Sequence, residues 1–188
     1  MRYAKPYPRL FTNCGNCVRT CAQILFTSAY CYLRAVTIHL IRHAHAGKRS
    51  EWDDDDSLRP LSSRGFDQAN GLCSLLTEIP VGRVISSPYL RCLQTAHPIA
   101  SHHGLMVEAS DLFAEGASAR KAYEELLQLD EVDGVACSHG DIIPLLLRLA
   151  VGDGMETDGP LIDQKGSLWT IEMKNGRPWR GRYTPPCA

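Results

Sequence analysis

The chain has 188 residues, of which 44% are hydrophobic and 22% are charged, and its formal net charge is -1. These values are typical of one globular domain, since domains of about 100–200 residues are usual. Because the charge is near zero and no run approaches the roughly 18 apolar residues of a membrane-spanning helix, we expect a cytoplasmic protein with neither a nucleic acid polymer nor a membrane as partner.

The first 35 residues differ from the rest of the chain. They contain no Asp or Glu, and they show neither a clear helical or strand period nor the pattern of a signal peptide. We expect residues 1–35 to be an extension outside the fold, which would comprise residues 36–188. The spacing of Cys14 and Cys17 would suit zinc or a redox pair, but no His lies among the four cysteines of this segment, so we predict no metal site there. The four are Cys14, Cys17, Cys21 and Cys31.

Strands and helices alternate from residue 36 onward. Residues 36–42 are rich in Val, Ile and Leu, which is typical of a strand buried on both faces. Ser62 or Ser63 begins a helix with apolar residues at helical spacing. Ser87 and Pro88 follow the next strand and predict a helix with Ser as its N-cap and Pro at its first position. The remaining predicted strands are residues 83–86, 105–108 and 134–138, and the remaining predicted helices are residues 89–102, 120–129 and 141–151.

Near the C-terminus, Asn175 and Gly176 are typical of a two-residue hairpin turn between strands at residues 167–174 and 177–183. The order of elements predicts an α/β fold: a three-layer sandwich whose mostly parallel sheet is covered by helices on both faces, with an antiparallel hairpin at one edge. Such sheets bind their ligands at the carboxyl ends of the strands.

Charged and imidazole side chains follow three of the predicted strands. Arg42 and His43 follow the first strand, Arg91 lies in the first turn after the second, and His139 follows "VACS". Guanidinium and imidazole groups at one edge form a pocket for a tetrahedral dianion, such as a phosphoryl group. Nearby positive charge favours the neutral form of an imidazole, which is a nucleophile.

The segments "LIRHAHAG", "SSPYLRCLQTA" and "ACSHGD" resemble the three signatures of the histidine phosphatase superfamily, the phosphoglycerate-mutase-like fold. The resemblance covers about residues 36–183 and implies that residues 36–188 are a catalytic domain of this kind. The short catalytic region is similar to that of the small phosphohistidine phosphatases. The segments "DDSLRPLSSRGFDQA" and "KGSLWTIEMKNGRP" are similar to the phosphatase domain fused behind some Nudix hydrolases.

The resemblance implies a role for each pocket residue. His43 would be the nucleophile that becomes phosphohistidine, while Arg42, Arg91 and His139 would bind the phosphoryl group and stabilise its charge. Glu115, in "LFAEG", would be the general acid and base. Positioning and electrostatics would then carry catalysis without a metal or other cofactor. We therefore expect a phosphatase that acts on a phosphomonoester or phosphoramidate, in a phosphorylated small molecule or a phosphoprotein.

Two local questions stay open at this point. Glu124 and Glu125 are alternatives to Glu115, and the role of His45 is not assigned. The acidic run at residues 53–56 is predicted to be a solvated loop. It could also position cations at the mouth of the pocket for a polyphosphate or phosphoprotein substrate. These cations are Lys48, Arg49 and Arg59.

Two other functions compete with the phosphatase. A non-catalytic phospho-ligand-binding module could use the same fold, although all four pocket residues are present. A metal-dependent hydrolase could use His43 and His45 as ligands, but the barrel folds that carry such a pair need about 250 residues. Sensitivity to a chelator separates the metal-dependent hydrolase from the phosphatase.

Overall fold

The computed structural model describes residues 36–129 and 132–187. The extension predicted for residues 1–35, with Cys14 and Cys17, lies outside the described residues. Within them there are seven strands and four α-helices, which alternate up to the last helix, and none of these helices is long and apolar enough to cross a membrane.

The strands and helices follow the predicted order, with ends that shift by one or two residues. The strands are β1 (Thr37–Arg42), β2 (Val81–Ser86), β3 (Val107–Ala109), β4 (Asp133–Ser138), β5 (Glu156–Thr157), β6 (Leu168–Lys174) and β7 (Arg177–Thr184). The helices are α1 (Ser63–Leu76), α2 (Leu90–His102), α3 (Ala119–Leu127) and α4 (Ile143–Gly152). Single 3₁₀ turns lie at Arg49–Glu51, Asp56–Leu58 and Asp111–Phe113.

All seven strands belong to one sheet, in the order β3-β2-β4-β1-β6-β7-β5. The pairs β1 with β4, β2 with β4, β2 with β3, and β5 with β7 are parallel. Strand β6 runs antiparallel to both β1 and β7. The α/β class is therefore confirmed. The predicted hairpin forms as β6 and β7. The two-residue strand β5 lies beyond β7 at the edge of the sheet. It was not predicted, because so short a strand shows no period in the sequence.

Helices cover both faces of the sheet, as the alternation of side chains along β1 requires. Ile38 and Leu40 belong to a buried cluster with Leu126 of α3 and Leu146 of α4. Ile41 lies in a second buried cluster, which includes residues of α1 and α2. These two apolar cores make the three-layer arrangement and hold β1 rigidly at its centre.

The start of α1 is as predicted, but the start of α2 is not. Ser62 is the N-cap of α1, and its Oγ accepts a hydrogen bond of 3.2 Å from Gly65 N. The N-cap position of α2 is held by Tyr89, so the prediction of a Ser87 cap was wrong. Ser87 Oγ accepts a longer hydrogen bond of 3.3 Å from Tyr89 N and lies 2.8 Å from Nε2 of His139. The Ser-Pro sequence is compatible with a helix cap. The contact with His139 could not be predicted locally, because the two residues are brought together only in the folded chain.

Candidate active site

The carboxyl ends of β1, β2 and β4 lie side by side and deliver the predicted site residues to one edge of the sheet. Arg42 of β1 pairs with Ser138 of β4, and His43 N donates to the Ser138 carbonyl at 3.0 Å. His43 and His139 each follow directly after these paired residues. Their ring centroids are 5.3 Å apart in an edge-to-face arrangement. The structure therefore brings the two predicted histidines together.

His43 is buried, with 5% of its surface exposed. Its Nδ1 lies 2.8 Å from the carbonyl oxygen of Ala44. Because a carbonyl only accepts hydrogen bonds, Nδ1 carries the proton and Nε2 holds the lone pair. Burial is the main reason that the pKa of His43 falls to about 2, and the charges of His139, Arg91 and Arg42 lower it further, against the opposing effect of the bond to Ala44. The imidazole is therefore neutral, with Nε2 as its basic nitrogen.

His139 is buried and held by contacts around its ring. Nδ1 lies 3.4 Å from Nη2 of Arg91, and Nε2 lies 2.8 Å from Oγ of Ser87. Since a guanidinium only donates, Nδ1 accepts from Arg91 and Nε2 donates to Ser87. The ring of Tyr89 packs edge-on at a centroid distance of 4.8 Å. Ser87, which the sequence pattern predicts to be a helix cap, is thus a residue of the site.

Arg91 has no exposed surface and is fixed by two carboxylates and an aromatic ring. Its Nη1 donates to the backbone carbonyl of Asp56 at 2.7 Å. Its Nη2 lies 3.1 Å from Oδ2 of Asp56 and 3.3 Å from Oε2 of Glu115. The guanidinium carbon stacks over Tyr89 at 4.7 Å from the ring centroid. This arrangement holds a buried positive charge in one orientation beside His139.

Arg42 reaches the site across the backbone of Gly140. A Cβ atom at position 140 would lie 2.5 Å from the guanidinium carbon of Arg42, so only glycine allows this approach. Nη1 of Arg42 donates to the backbone carbonyl of Asp163 and lies 3.4 Å from its carboxylate. The Nε atoms of Arg42 and Arg91 are buried without a partner among the described residues. Unsatisfied donors of this kind are expected where an anion binds.

Glu115 lies at the mouth of the site, where two guanidinium groups reach its carboxylate. Oε2 accepts from Nη2 of Arg49 at 2.6 Å and from Nη2 of Arg91 at 3.3 Å. The loop is tied to the third signature, because Gly116 N donates to Oδ2 of Asp141 at 2.7 Å. Glu115 is therefore placed beside the predicted phosphoryl pocket.

The alternative carboxylates do not reach this pocket. Glu124 is exposed on α3, and Glu125 lies 3.5 Å from Nη2 of Arg83, on another part of the surface. Neither lines the cavity that contains His43. Of the three candidates, only Glu115 is near the predicted nucleophile.

Asp56 joins three arginines around the site. Oδ1 accepts from Nε of Arg59 at 2.8 Å, and Oδ2 accepts from Nη2 of Arg49 at 2.6 Å. Together with the contact to Arg91, these bonds lower the pKa of Asp56 well below its ordinary value, with the bond to Arg49 as the largest cause. The prediction of a solvated loop is therefore wrong for Asp56, whereas the alternative, that the acidic run positions cations at the pocket mouth, agrees with its pairs to Arg49 and Arg59. The spacing of Asp56 and Arg59, three residues apart, was the available sequence signal.

His45 does not join His43. Its Nδ1 lies 2.7 Å from Oγ of Ser62, next to the start of α1. In residues 36–129 and 132–187, no group of three His, Cys, Asp or Glu side chains could hold a metal ion. The metal-dependent alternative therefore lacks a ligand set in the part of the chain that the structure describes.

The site opens into a cavity of about 390 Å³, within the range of small-molecule pockets. Six cationic and two acidic side chains line it, so its field favours an anion. The cationic residues are Arg42, Lys48, Arg49, Arg59, Arg91 and Lys165, and the acidic residues are Glu115 and Asp141. His43 lines the same cavity.

This geometry agrees with a comparison to known families. The model of the histidine phosphatase superfamily (branch 1) matches residues 38–129. This match, which spans just under half of the chain, supports the histidine phosphatase superfamily as its family. The matched segment carries the first two predicted signatures and Glu115, and the third signature begins in β4 and continues into the loop after it.

A curated protein resembles the chain. An 8-oxo-(d)GTP phosphatase of Mycolicibacterium smegmatis is 29% identical over 155 residues, which are 80% of this chain and 48% of that protein. The chain thus spans about half the length of this curated relative. The family match and the phosphatase names of similar proteins support the prediction of an enzyme of the phosphatase class.

Solved structures share the fold. The protein histidine phosphatase SixA complexed with tungstate matches with a TM-score of 0.62 and 21% identity, covering 81% of this chain and 97% of that one. A putative phosphohistidine phosphatase SixA from Nakamurella multipartitia matches with a TM-score of 0.64 and 19% identity, covering 82% and 98%. At these identities the likeness establishes the fold.

Proposed function

We propose that this protein is a metal-independent phosphatase that hydrolyses phosphomonoesters or phosphoramidates through a phosphohistidine intermediate on His43. The observation that carries the proposal is the buried imidazole of His43, which is neutral and has Nδ1 bound to the Ala44 carbonyl. Its basic nitrogen, Nε2, belongs to a ring that faces a cationic cavity. A neutral imidazole with one free lone pair is a nucleophile.

In the first step, the lone pair on Nε2 of His43 attacks phosphorus. The new N–P bond forms as the bond from phosphorus to the leaving atom breaks. Glu115 gives its carboxyl proton to the leaving atom. The imidazole becomes positively charged, and the bond from Nδ1–H to the Ala44 carbonyl stabilises that charge.

In the second step, a water molecule attacks phosphorus and the N–P bond breaks. The carboxylate of Glu115 takes a proton from this water, which restores the acid for the next cycle. The N–P electrons return to Nε2 of His43, and inorganic phosphate leaves. The same carboxylate therefore serves both steps.

Charge stabilisation in both steps is assigned to groups that are held rigidly before the substrate arrives. Arg42 lies across Gly140, and Arg91 is fixed by Asp56 and the ring of Tyr89. Preorganised donors of this kind stabilise the charge that develops on the phosphoryl oxygens, without a cost of reorganisation.

The expected substrates are phosphorylated small molecules or phosphoproteins. Relatives named as phosphohistidine phosphatases and as an 8-oxo-(d)GTP phosphatase support both classes. The cytoplasmic location and the exclusion of nucleic acid polymers and membranes stay predictions.

The test is hydrolysis of p-nitrophenyl phosphate in excess EDTA by the wild type and by His43→Asn. We expect full wild-type turnover in EDTA and a loss of at least about a thousandfold in the variant, since the nucleophile is removed. His97→Asn, at an exposed position of α2, is the matched control and should keep the wild-type rate. A substantial rate in His43→Asn would overturn the proposal. Absent wild-type turnover with retained phosphate binding would point to a binding module instead.

A further inference from the structure

Lys165 differs from the other cations that line the cavity. Each of the four arginines there forms an ion pair with a carboxylate, and Lys48 pairs with Glu51. Lys165 has no carboxylate partner among the described residues. Its positive charge therefore has no counter-ion in the described part of the chain.

The surroundings of Lys165 are electrostatically unfavourable for a cation. Burial lowers the pKa of its half-buried ammonium group, and nearby guanidinium groups lower it further. These are the guanidinium groups of Arg42, Arg59, Arg91 and Arg49. A cation held among like charges gains free energy when an anion binds beside it.

The backbone fixes Lys165 in this position. The turn from Gln164 to Ser167 is closed by Ser167 N, which donates to the Gln164 carbonyl at 2.9 Å, and Gly166 takes the positive φ of 78° that this turn requires. Gly166 N donates to the backbone carbonyls of Arg42 and His43, both at 3.1 Å. Lys165 is thus tied directly to the segment that carries the predicted nucleophile.

Lys165 lines a second cavity besides the one that contains His43. Together with Arg42 it lines a neighbouring cavity of about 450 Å³, which also contains His45 and Arg64. Arg42 and Lys165 are therefore at the boundary between this cavity and the one that contains His43. A group bound at Lys165 would be adjacent to a phosphoryl group at His43 and distinct from it.

We propose that Lys165 binds a second phosphoryl group of the substrate, so that the site favours molecules with two linked phosphoryl groups over simple monoesters. This inference rests on the proposed function, because the first phosphoryl group is assumed to occupy the pocket at His43. Two observations support the inference: Lys165 has no carboxylate partner among the described residues, and the adjacent Gly166 is hydrogen-bonded to the backbone of Arg42 and His43. Lys165 then determines specificity and takes no part in the chemical steps.

The test is calorimetric binding of methylphosphonate and methylenediphosphonate, which carry one and two phosphonate groups and cannot be hydrolysed at their P–C bonds. For the wild type, we expect methylenediphosphonate to bind at least about tenfold more tightly than methylphosphonate, the gain expected from one added charge-assisted contact. Lys165→Met should reduce this ratio to below about threefold. Lys165→Arg should keep it, and so should Lys121→Met on the exposed face of α3.

The outcomes separate this inference from the proposed function. An unchanged ratio in Lys165→Met, or an equal loss of affinity for both ligands, would overturn the second phosphoryl site and leave the proposed function standing. Failure of the wild type to bind methylphosphonate would overturn the phosphoryl pocket itself. Because binding is measured without turnover, a catalytic defect cannot imitate either result.

Discussion

Nδ1 of His43 donates a hydrogen bond of 2.8 Å to the carbonyl oxygen of Ala44. This contact selects the tautomer in which Nε2 is basic, and it is supplied by the backbone of the adjacent residue. Any side chain at position 44 keeps that carbonyl. The contact therefore does not depend on the side chain of Ala44.

The buried, neutral state of His43 predicts a pH dependence of stability. Its pKa is about 2 in the folded protein against an ordinary value of 6.5. Below pH 6.5 the unfolded chain binds a proton that the folded chain does not, so stability falls as pH falls, by at most about 1.4 kcal/mol per pH unit. Urea unfolding should show the wild type losing roughly 1–2 kcal/mol more than His43→Asn between pH 6.5 and 5. If the free energy of unfolding changed equally with pH in the wild type and in His43→Asn, the buried neutral imidazole would be contradicted.

Gly140→Ala should weaken phosphate binding. The added Cβ would lie 2.5 Å from the guanidinium carbon of Arg42, so this side chain must move from the pocket. Losing a charge-assisted contact should raise KM for p-nitrophenyl phosphate about tenfold or more. Gly152→Ala, at the end of α4, is the control, because a Cβ there meets no atom within 4 Å. Equal kinetics for the two variants would contradict the placement of Arg42.

Glu115→Gln should have an effect that depends on the leaving group. Alkyl phosphates need a proton on the leaving oxygen, so their kcat/KM should fall by about 10²–10⁴. p-Nitrophenolate leaves readily without a proton, so its ester should be affected much less. Glu124→Gln, at an exposed position of α3, should leave both substrates unaffected. An equal loss for both substrates would assign Glu115 a role in positioning Arg49 and Arg91 alone.

Asp56→Asn should disturb the arginines around the pocket. Asp56 accepts from Arg49 and Arg59 and lies 3.1 Å from Nη2 of Arg91. Removing its charge should reduce stability by about 1–3 kcal/mol and raise KM, because Arg91 loses its closest carboxylate. Asp53→Asn, at an exposed position of the same acidic run, is the matched control. If Asp56→Asn and Asp53→Asn had the same melting temperature and the same KM, Asp56 would not hold the arginines around the pocket.

Much of the fold was predictable because local pattern and tertiary structure agree. The apolar run of β1 is buried on both faces as its composition indicates, and Ser62, one of the two predicted caps, is the N-cap of α1. Residues at strand ends are the predictable part of the site, because parallel strands carry them to one edge. Arg42, His43 and His139 were found in this way.

The other site residues lie in loops. Loop sequences have no helical or strand period, so the positions of these residues could not be predicted. Asp56 contacts Arg91 over a separation of 35 residues, and that contact requires the loop to fold back over α2. Ser87 fits a helix cap locally and becomes a partner of His139 only when β2 and β4 pair. Lys165 is a single lysine in a turn, with no pattern around it in the sequence. Its role is indicated only by the structure, where it lines the cavity without a carboxylate partner among the described residues.

The central claim is that a phosphoryl group is transferred to His43. The most direct test is to mix the wild type with p-nitrophenyl phosphate, quench in alkali on the millisecond scale and map phosphorylation by mass spectrometry. The account predicts one acid-labile, alkali-stable phosphoryl group on the peptide that contains His43, and none in His43→Asn. A phosphoryl group on another residue, or turnover in which no phosphoenzyme forms under single-turnover conditions, would contradict it.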